Sequence, residues 1–272
     1  MKKKIVIFSV LVVAVLLTGC NSIELQSSWK DRTVIIDGND EDWKDQKYYI
    51  REKNITVGVM NDERYLYLCF YPTNRKLSEL LLKQGLTIWF NGEGKRKKDF
   101  GIKFPLGLKN MVKDRSKIDS NFRDIEPEMM EKMVNEMSNK LEILGSEKNN
   151  GKTVGIKNLV GVEIALGVQK GVFVYELKIP YKHNQVYSAT IGAEPGSEIC
   201  LYFETSEIDF EEMNSQMDNR PSSMDSGMSG GKGSGRGGGG RSGGSKEGSD
   251  RQTSSSLNAW VQIQLATQTL TE

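Results

Sequence analysis

Histidine is almost missing from this chain. His183 stands alone among 272 residues, accompanied by three cysteines, Cys20, Cys69 and Cys200. That scarcity leaves little material for a metal centre of imidazole and thiolate, or for a nucleophile activated by a neighbouring imidazole. A Ser/His/Asp arrangement would have to pass through His183, and neither an HExxH nor a phosphate-cradling GxxxxGK[ST] segment is present. An excess of charge of one sign is missing too: 37 basic residues face 36 acidic ones, which gives no electrostatic reason to expect nucleic acid as a partner. Long apolar runs are absent as well, the longest being Ile5–Leu17, too short for a membrane-spanning helix.

That short run has a definite context. Lys2, Lys3 and Lys4 precede it and Leu17-Thr18-Gly19-Cys20 closes it, the layout of a secretory signal. A small residue directly before a cysteine resembles the bacterial lipobox, which implies cleavage after residue 19 and acylation of Cys20 with lipid chains such as palmitate. The expected mature chain has 253 residues, 34 of them basic and 36 acidic, and is anchored to the cell envelope outside the cytoplasm. Asn21, in place of Asp after the acylated cysteine, is the kind of residue that directs sorting to the outer membrane in some Gram-negative bacteria. Residues 20–32 read as a polar tether. In an exported protein Cys69 and Cys200 either pair or remain as two separate thiols, and sequence alone decides neither.

From residue 33 onward the pattern is one of alternation. Ile55, Val57 and Val59 share one face of a strand, Asn61-Asp62-Glu63-Arg64 forms a turn, and Leu66, Leu68 and Phe70 share a face of the next. A second hairpin pairs Leu86, Ile88 and Phe90 with Phe100, Ile102 and Phe104 across the polar loop 92–99. A third folds at Gln169-Lys170-Gly171, with Phe173, Tyr175, Leu177 and Ile179 on one side. Residues 198–205 and 257–266 alternate again, separated by a glycine- and serine-rich insertion (215–256) whose composition predicts disorder. Residues 126–144 break the β pattern: Met129, Met130, Met133, Val134, Met137 and Leu141 recur at helical spacing after Pro127. These readings predict an all-β fold, an antiparallel β-sandwich of the jelly-roll kind with about nine strands, one amphipathic helix and one long loop, in a single domain over 33–266.

Four segments stand in a recognisable order: VIIDGNDEDW (34–43), NDERYLYL (61–68), GLTIWFNGEGKRKKDFGIKFP (85–105) and VYELKIP (174–180). Together they resemble the family 9 carbohydrate-binding module and its DOMON-like relatives, whose chains open with an I-D-G…W segment, continue with D…L-Y, and end with a Y-E…I-P strand. The resemblance implies a β-sandwich that binds sugar, often with calcium as a structural ion. Helix 126–144 and the glycine-rich insertion depart from the family pattern.

Sugar sites need aromatic planes beside amide or carboxylate groups, because pyranose rings offer apolar C–H faces and dense hydroxyls. If Leu66, Ile88, Phe203 and Ile263 face the core, then Tyr67, Trp89, Tyr202, Trp260 and Gln262 lie on the opposite faces of their strands. On neighbouring strands these residues would form an aromatic shelf bordered by Gln262, Gln264 and Glu204; under the helix they would form a second core instead. Asp37, Asn39, Glu41 and Asp42 carry oxygens of the kind Ca²⁺ accepts, with Asp37, Asn39 and Asp42 as the candidate ligands, although the full EF-hand pattern is missing. Sandwiches of this kind also include haem-binding cytochrome domains, for which Met60 and His183 are the conceivable axial pair; no CxxCH segment is present. The expected function is that of a lipid-anchored, non-catalytic binding protein for a glycan or cell-envelope component. The alternatives are an assembly lipoprotein that binds a protein partner and a haem-binding domain.

Overall fold

In the computed structural model, residues 23–108, 127–145, 151–183, 185–205 and 256–268 are described. Residues 1–19, expected from sequence to be a leader, Cys20, expected to be acylated, and the glycine-rich insertion up to residue 255 lie outside the described residues.

The alternating runs become strands of two sheets. The larger sheet consists of β1 (Ile23–Gln26), β13 (Asn258–Gln264), β12 (Glu198–Glu204), β6 (Thr87–Asn91), β7 (Phe100–Lys103), β8 (Lys140–Gly145) and β9 (Lys152–Gly155), in that spatial order. The smaller consists of β10 (Glu163–Gln169), β11 (Val172–Pro180), β5 (Tyr65–Pro72), β4 (Ile55–Asn61) and β2 (Ser28–Trp29), with β3 (Lys47–Ile50) also paired to β4. Period-two patterning fixes which side of each strand is dry. Ile55, Val57, Val59, Leu66, Leu68, Phe70, Phe173, Tyr175, Leu177 and Ile179 from one sheet meet Ile88, Phe90, Ile102, Ile199, Leu201, Phe203, Val261 and Ile263 from the other in a single core. Across that core Phe70 stacks on Phe203 at 5.2 Å between ring centroids, and Phe104 packs on Tyr175 at 5.9 Å. Each such large side chain contributes about 1.5–3 kcal/mol on burial. This is the all-β two-sheet sandwich that the alternation predicts.

Four features differ from the sequence expectations. Thirteen strands are present among the described residues rather than about nine. Two of the additional strands come from the supposed tether: β1 pairs with β13 and β2 with β4, both in parallel, so the sandwich is not antiparallel throughout and starts ten residues earlier. Ser27 sits at the crossing between the two sheets. Its hydroxyl donates to Asn61 Oδ1 and accepts from Ala266 N at 2.8 Å, while Asn61 Oδ1 accepts from Ala266 N at 2.9 Å and its Nδ2 donates to Ala266 O at 3.0 Å. One fully buried amide therefore ties the first strands, the end of β4 and the tail of β13 together.

The third difference lies in 126–144. A helix, α2, covers only Pro127–Met137, and Lys140–Gly145 is strand β8. Met130, Val134 and Met137 bury the apolar stripe, and α2 packs against β10. Leu141 continues that stripe at i+4 from Met137 and also starts the Leu141/Ile143 alternation, so both periods fit. The backbone turns at 138–139, where Ser138 Oγ donates to Val134 O and Asn139 Nδ2 donates to Glu136 O, consuming the last helical carbonyls. The fourth difference is a second helix where the sequence reading expects a single one: α1 (Arg75–Gln84), capped by Asn74, whose side chain accepts from Leu77 N.

Cys69 and Cys200 are both free and buried. Cys69 is on β5 and Cys200 on β12, in different sheets, and each points away from the shared core, so the disulfide alternative is not realised.

Candidate functional site

With Ile88, Phe90, Ile199, Leu201, Phe203, Val261 and Ile263 turned inward, alternation sends Trp89, Tyr202 and Trp260 to the outer face of the seven-stranded sheet. Register then decides whether they meet. Trp89 on β6 is the cross-strand partner of Tyr202 on β12, and Tyr202 is the partner of Trp260 on β13. The three aromatics form one row across three adjacent strands, each half-buried. Tyr202 and Trp260 stack at 4.4 Å between centroids with 26° between planes. On the far side the row continues at Gly101 of β7, the partner of Trp89. A Cβ there would approach the indole to 2.9 Å, so the absence of a side chain at 101 lets Trp89 lie down on the strand.

Polar groups border the row. Trp89 Nε1 donates to Glu204 Oε1 at 2.6 Å, and Glu204 Oε2 pairs with Lys98 Nζ at 2.5 Å. Lys98 Nζ sits 4.7 Å from the Tyr202 ring centroid and 5.5 Å from that of Trp89. Lys98 belongs to the β6–β7 loop, which buried Asn91 folds back over the sheet: Asn91 Oδ1 accepts from Glu93 N and Lys95 N. Gln262 secures the same loop, its Nε2 donating to Gly94 O at 3.3 Å and to Glu198 Oε1 at 2.5 Å. Gln264 Nε2 donates to Gly196 O at 2.8 Å. The loop walls one side of the row, over Cys200, whose thiol burial pushes up.

Four of the five candidate ligand-binding residues, Trp89, Tyr202, Trp260 and Gln262, are therefore brought together. Tyr67 is not among them. It lies on β5 of the six-stranded sheet, buried with Trp43, Met60, Cys69 and Val174, and its hydroxyl donates to Asp62 Oδ2 at 2.9 Å. Alternation does turn Tyr67 away from the shared core, but the period within one strand carries no information about which sheet that strand joins. Lys98 and Gly101 complete the site without having stood out in sequence, since a lysine in a basic loop and a glycine in a strand carry no signal of their own.

The opening segment 34–43 has a structural task. Glu176 of β11, fully buried, accepts from Trp43 Nε1 at 2.6 Å, Gly38 N at 2.6 Å and Asp37 N at 2.9 Å. Burial pushes its carboxyl upward, and the indole and backbone N–H donors pull the other way. The backbone of Gly38 also lies against Gly167 of β10, where a Cβ on Gly38 would come within 2.5 Å of the Gly167 nitrogen. The I-D-G…W and Y-E segments are thus two halves of one buried lock.

Calcium does not fit the residues proposed for it. Asp37 Oδ1 accepts from Asn39 N, Asn39 Oδ1 from Glu41 N, and Asp42 Oδ2 from Ile35 N, so these oxygens cap the loop backbone instead of converging as the six to eight ligands Ca²⁺ takes. Among the described residues no group of three or more His, Cys, Asp or Glu side chains converges to hold a metal. Met60 is enclosed in the Trp43 cluster while His183 is exposed, so the two do not present an axial pair for haem. Among the described residues no helix is long and apolar enough to cross a membrane.

No family model matches the sequence, and no curated protein does. The structure is similar to two solved structures of a carbohydrate binding module family 9 from Caldicellulosiruptor kristjanssonii. One is in complex with glucose, at 12% identity and a TM-score of 0.34, covering 69% of this chain and 80% of that one. The other is in complex with cellotriose, at 12% identity and a TM-score of 0.31, covering 69% of this chain and 78% of that one.

Proposed function

We propose that this protein is a non-catalytic glycan-binding lipoprotein of the bacterial cell envelope, anchored through Cys20 and binding its ligand on the outer face of the seven-stranded sheet. The observation that carries the reading is the register: Trp89, Tyr202 and Trp260 are direct cross-strand neighbours on that face. Adjacent strands are about 4.8 Å apart, so the row spans roughly 10 Å, the length of about two pyranose units. Half-buried indoles and a phenol supply surface for C–H faces, and Glu204, Glu198 and Gln262 supply acceptors and donors for hydroxyls. A rigid sheet holds these groups without a conformational change, which lowers the entropic cost of binding. Membrane attachment places such a site at the envelope, where polysaccharides are concentrated.

The test is retention of the full chain, solubilised in a detergent without a sugar headgroup, on a broad panel of polysaccharides, with competition by soluble fragments. Binding to at least one polysaccharide, competed by its oligosaccharides, is expected. Failure across the panel would overturn the reading and favour the alternative of a lipoprotein that docks a protein partner.

A further inference from the structure

The face assigned to glycans holds a cation of its own. Lys98 Nζ rests over Tyr202 and Trp89 and pairs with Glu204, whose other oxygen is fixed by the Trp89 indole N–H. Two π faces and an oriented carboxylate are a complete binding site for an ammonium group. Lysines lie over tyrosines elsewhere in the chain, but differently. Lys178, over Tyr65 and Tyr67 with Glu163 as its partner, projects from β11 itself and is the cross-strand neighbour of both Tyr67 and Glu163. Lys98 reaches its site from a loop, and its side chain is 40% exposed, against 22% for Lys178. A solvated loop ammonium is one that a ligand can replace.

Resting on the glycan-binding reading above, we infer that the shelf selects glycans that carry a free amine: the ammonium of a deacetylated hexosamine unit takes the place of Lys98 Nζ between Trp89 and Tyr202 against Glu204, and the chain continues along the row toward Trp260. The selectivity follows from what each ligand leaves behind. A neutral hexose that displaces Lys98 strands the Glu204 carboxylate without a cation, a cost that an amino sugar avoids. Lys98 then acts as an internal competitor that the right ligand expels.

The experiment is calorimetric titration of the full chain in detergent with deacetylated chito-oligosaccharide, N-acetylated chito-oligosaccharide of the same length, cello-oligosaccharide, and spermidine as a cation without sugar. The expected result is binding of the deacetylated oligomer about ten-fold tighter than either neutral oligomer, the scale of one cation–π and carboxylate contact. Lys98→Met removes the competitor and is expected to tighten the amine-bearing oligomer a further several-fold. Glu204→Gln keeps an acceptor for the Trp89 indole and is expected to erase the ratio of affinities between amine-bearing and neutral oligomers, whatever it does to both together; unchanged thermal melting establishes that both variants are folded. Equal binding of amine-bearing and neutral oligomers would overturn this inference and leave the glycan-binding reading intact. No binding of any oligomer would overturn this inference, and the polysaccharide panel alone would then decide the glycan-binding reading. Spermidine binding as tightly as the amino-oligosaccharide, or a preference that survives Glu204→Gln, would show non-specific cation attraction and also overturn it.

Discussion

Glu176 is the residue on which the small sheet's outer layer depends, because three N–H donors from a loop 133 or more positions away end on one carboxylate. Glu176→Ala would leave buried donors without acceptors, each worth about 1–3 kcal/mol, so a loss of about 3 kcal/mol or more is expected by denaturant unfolding. Glu176→Gln keeps one acceptor oxygen and is expected to lose less. The pH dependence has a definite sign. The folded-state pKa is raised above its ordinary value of 4.5, so the native state holds this proton more tightly than the unfolded chain does. The group's contribution is thus fully present below about 4.5 and declines as pH rises through the folded pKa. The stability difference between wild type and Glu176→Gln should shrink across that interval; a difference that grows with pH would contradict the assignment. Sequence displays Trp43 and Glu176 as parts of two separate segments, but the bond between them belongs to tertiary structure and has no local signal.

At the scale of elements, the buried amide of Asn61 decides whether the first strands belong to the fold. Asn61→Ala removes bonds to Ser27 and Ala266 and is expected to cost about 2 kcal/mol. It should also speed amide hydrogen exchange in Ile23–Gln26 more than in the central strands β5 and β11; uniform acceleration would mean that the amide does not fasten β1. Asn74→Ala removes the α1 cap at an expected cost of about 1 kcal/mol. Hairpins were readable because alternation and turn residues are local: Ile55/Val57/Val59 against Leu66/Leu68/Phe70, and Ile88/Phe90 against Phe100/Ile102, pair as their patterns predict. The short strands 23–26 and 28–29 were not, since four residues and two residues are too few to show a period. The helix–strand boundary near 138 was hidden because Leu141 satisfies both the helical and the strand spacing.

For the molecule as a whole, two sheets around one core and two unpaired thiols imply that stability owes nothing to a Cys69–Cys200 disulfide. Thermal melting of the full chain is expected to be the same with and without a thiol reductant, and a fall on reduction would contradict the placement of the two cysteines on different sheets. The shelf is the one part of the site that sequence came close to giving. Alternation named the outward residues of β6, β12 and β13, but adjacency required the sheet order, which also removed Tyr67 to the opposite face of the sandwich. That separation supplies an internal control. The most direct measurement is a pair of binding isotherms for a polysaccharide retained by the wild type, one with Trp260→Ala and one with Tyr67→Phe, each checked by thermal melting. The account predicts a loss of at least about ten-fold for Trp260→Ala, since the indole supplies a large part of the apolar surface of the row, and no change for Tyr67→Phe. Unchanged binding by folded Trp260→Ala would place the site elsewhere and contradict the account.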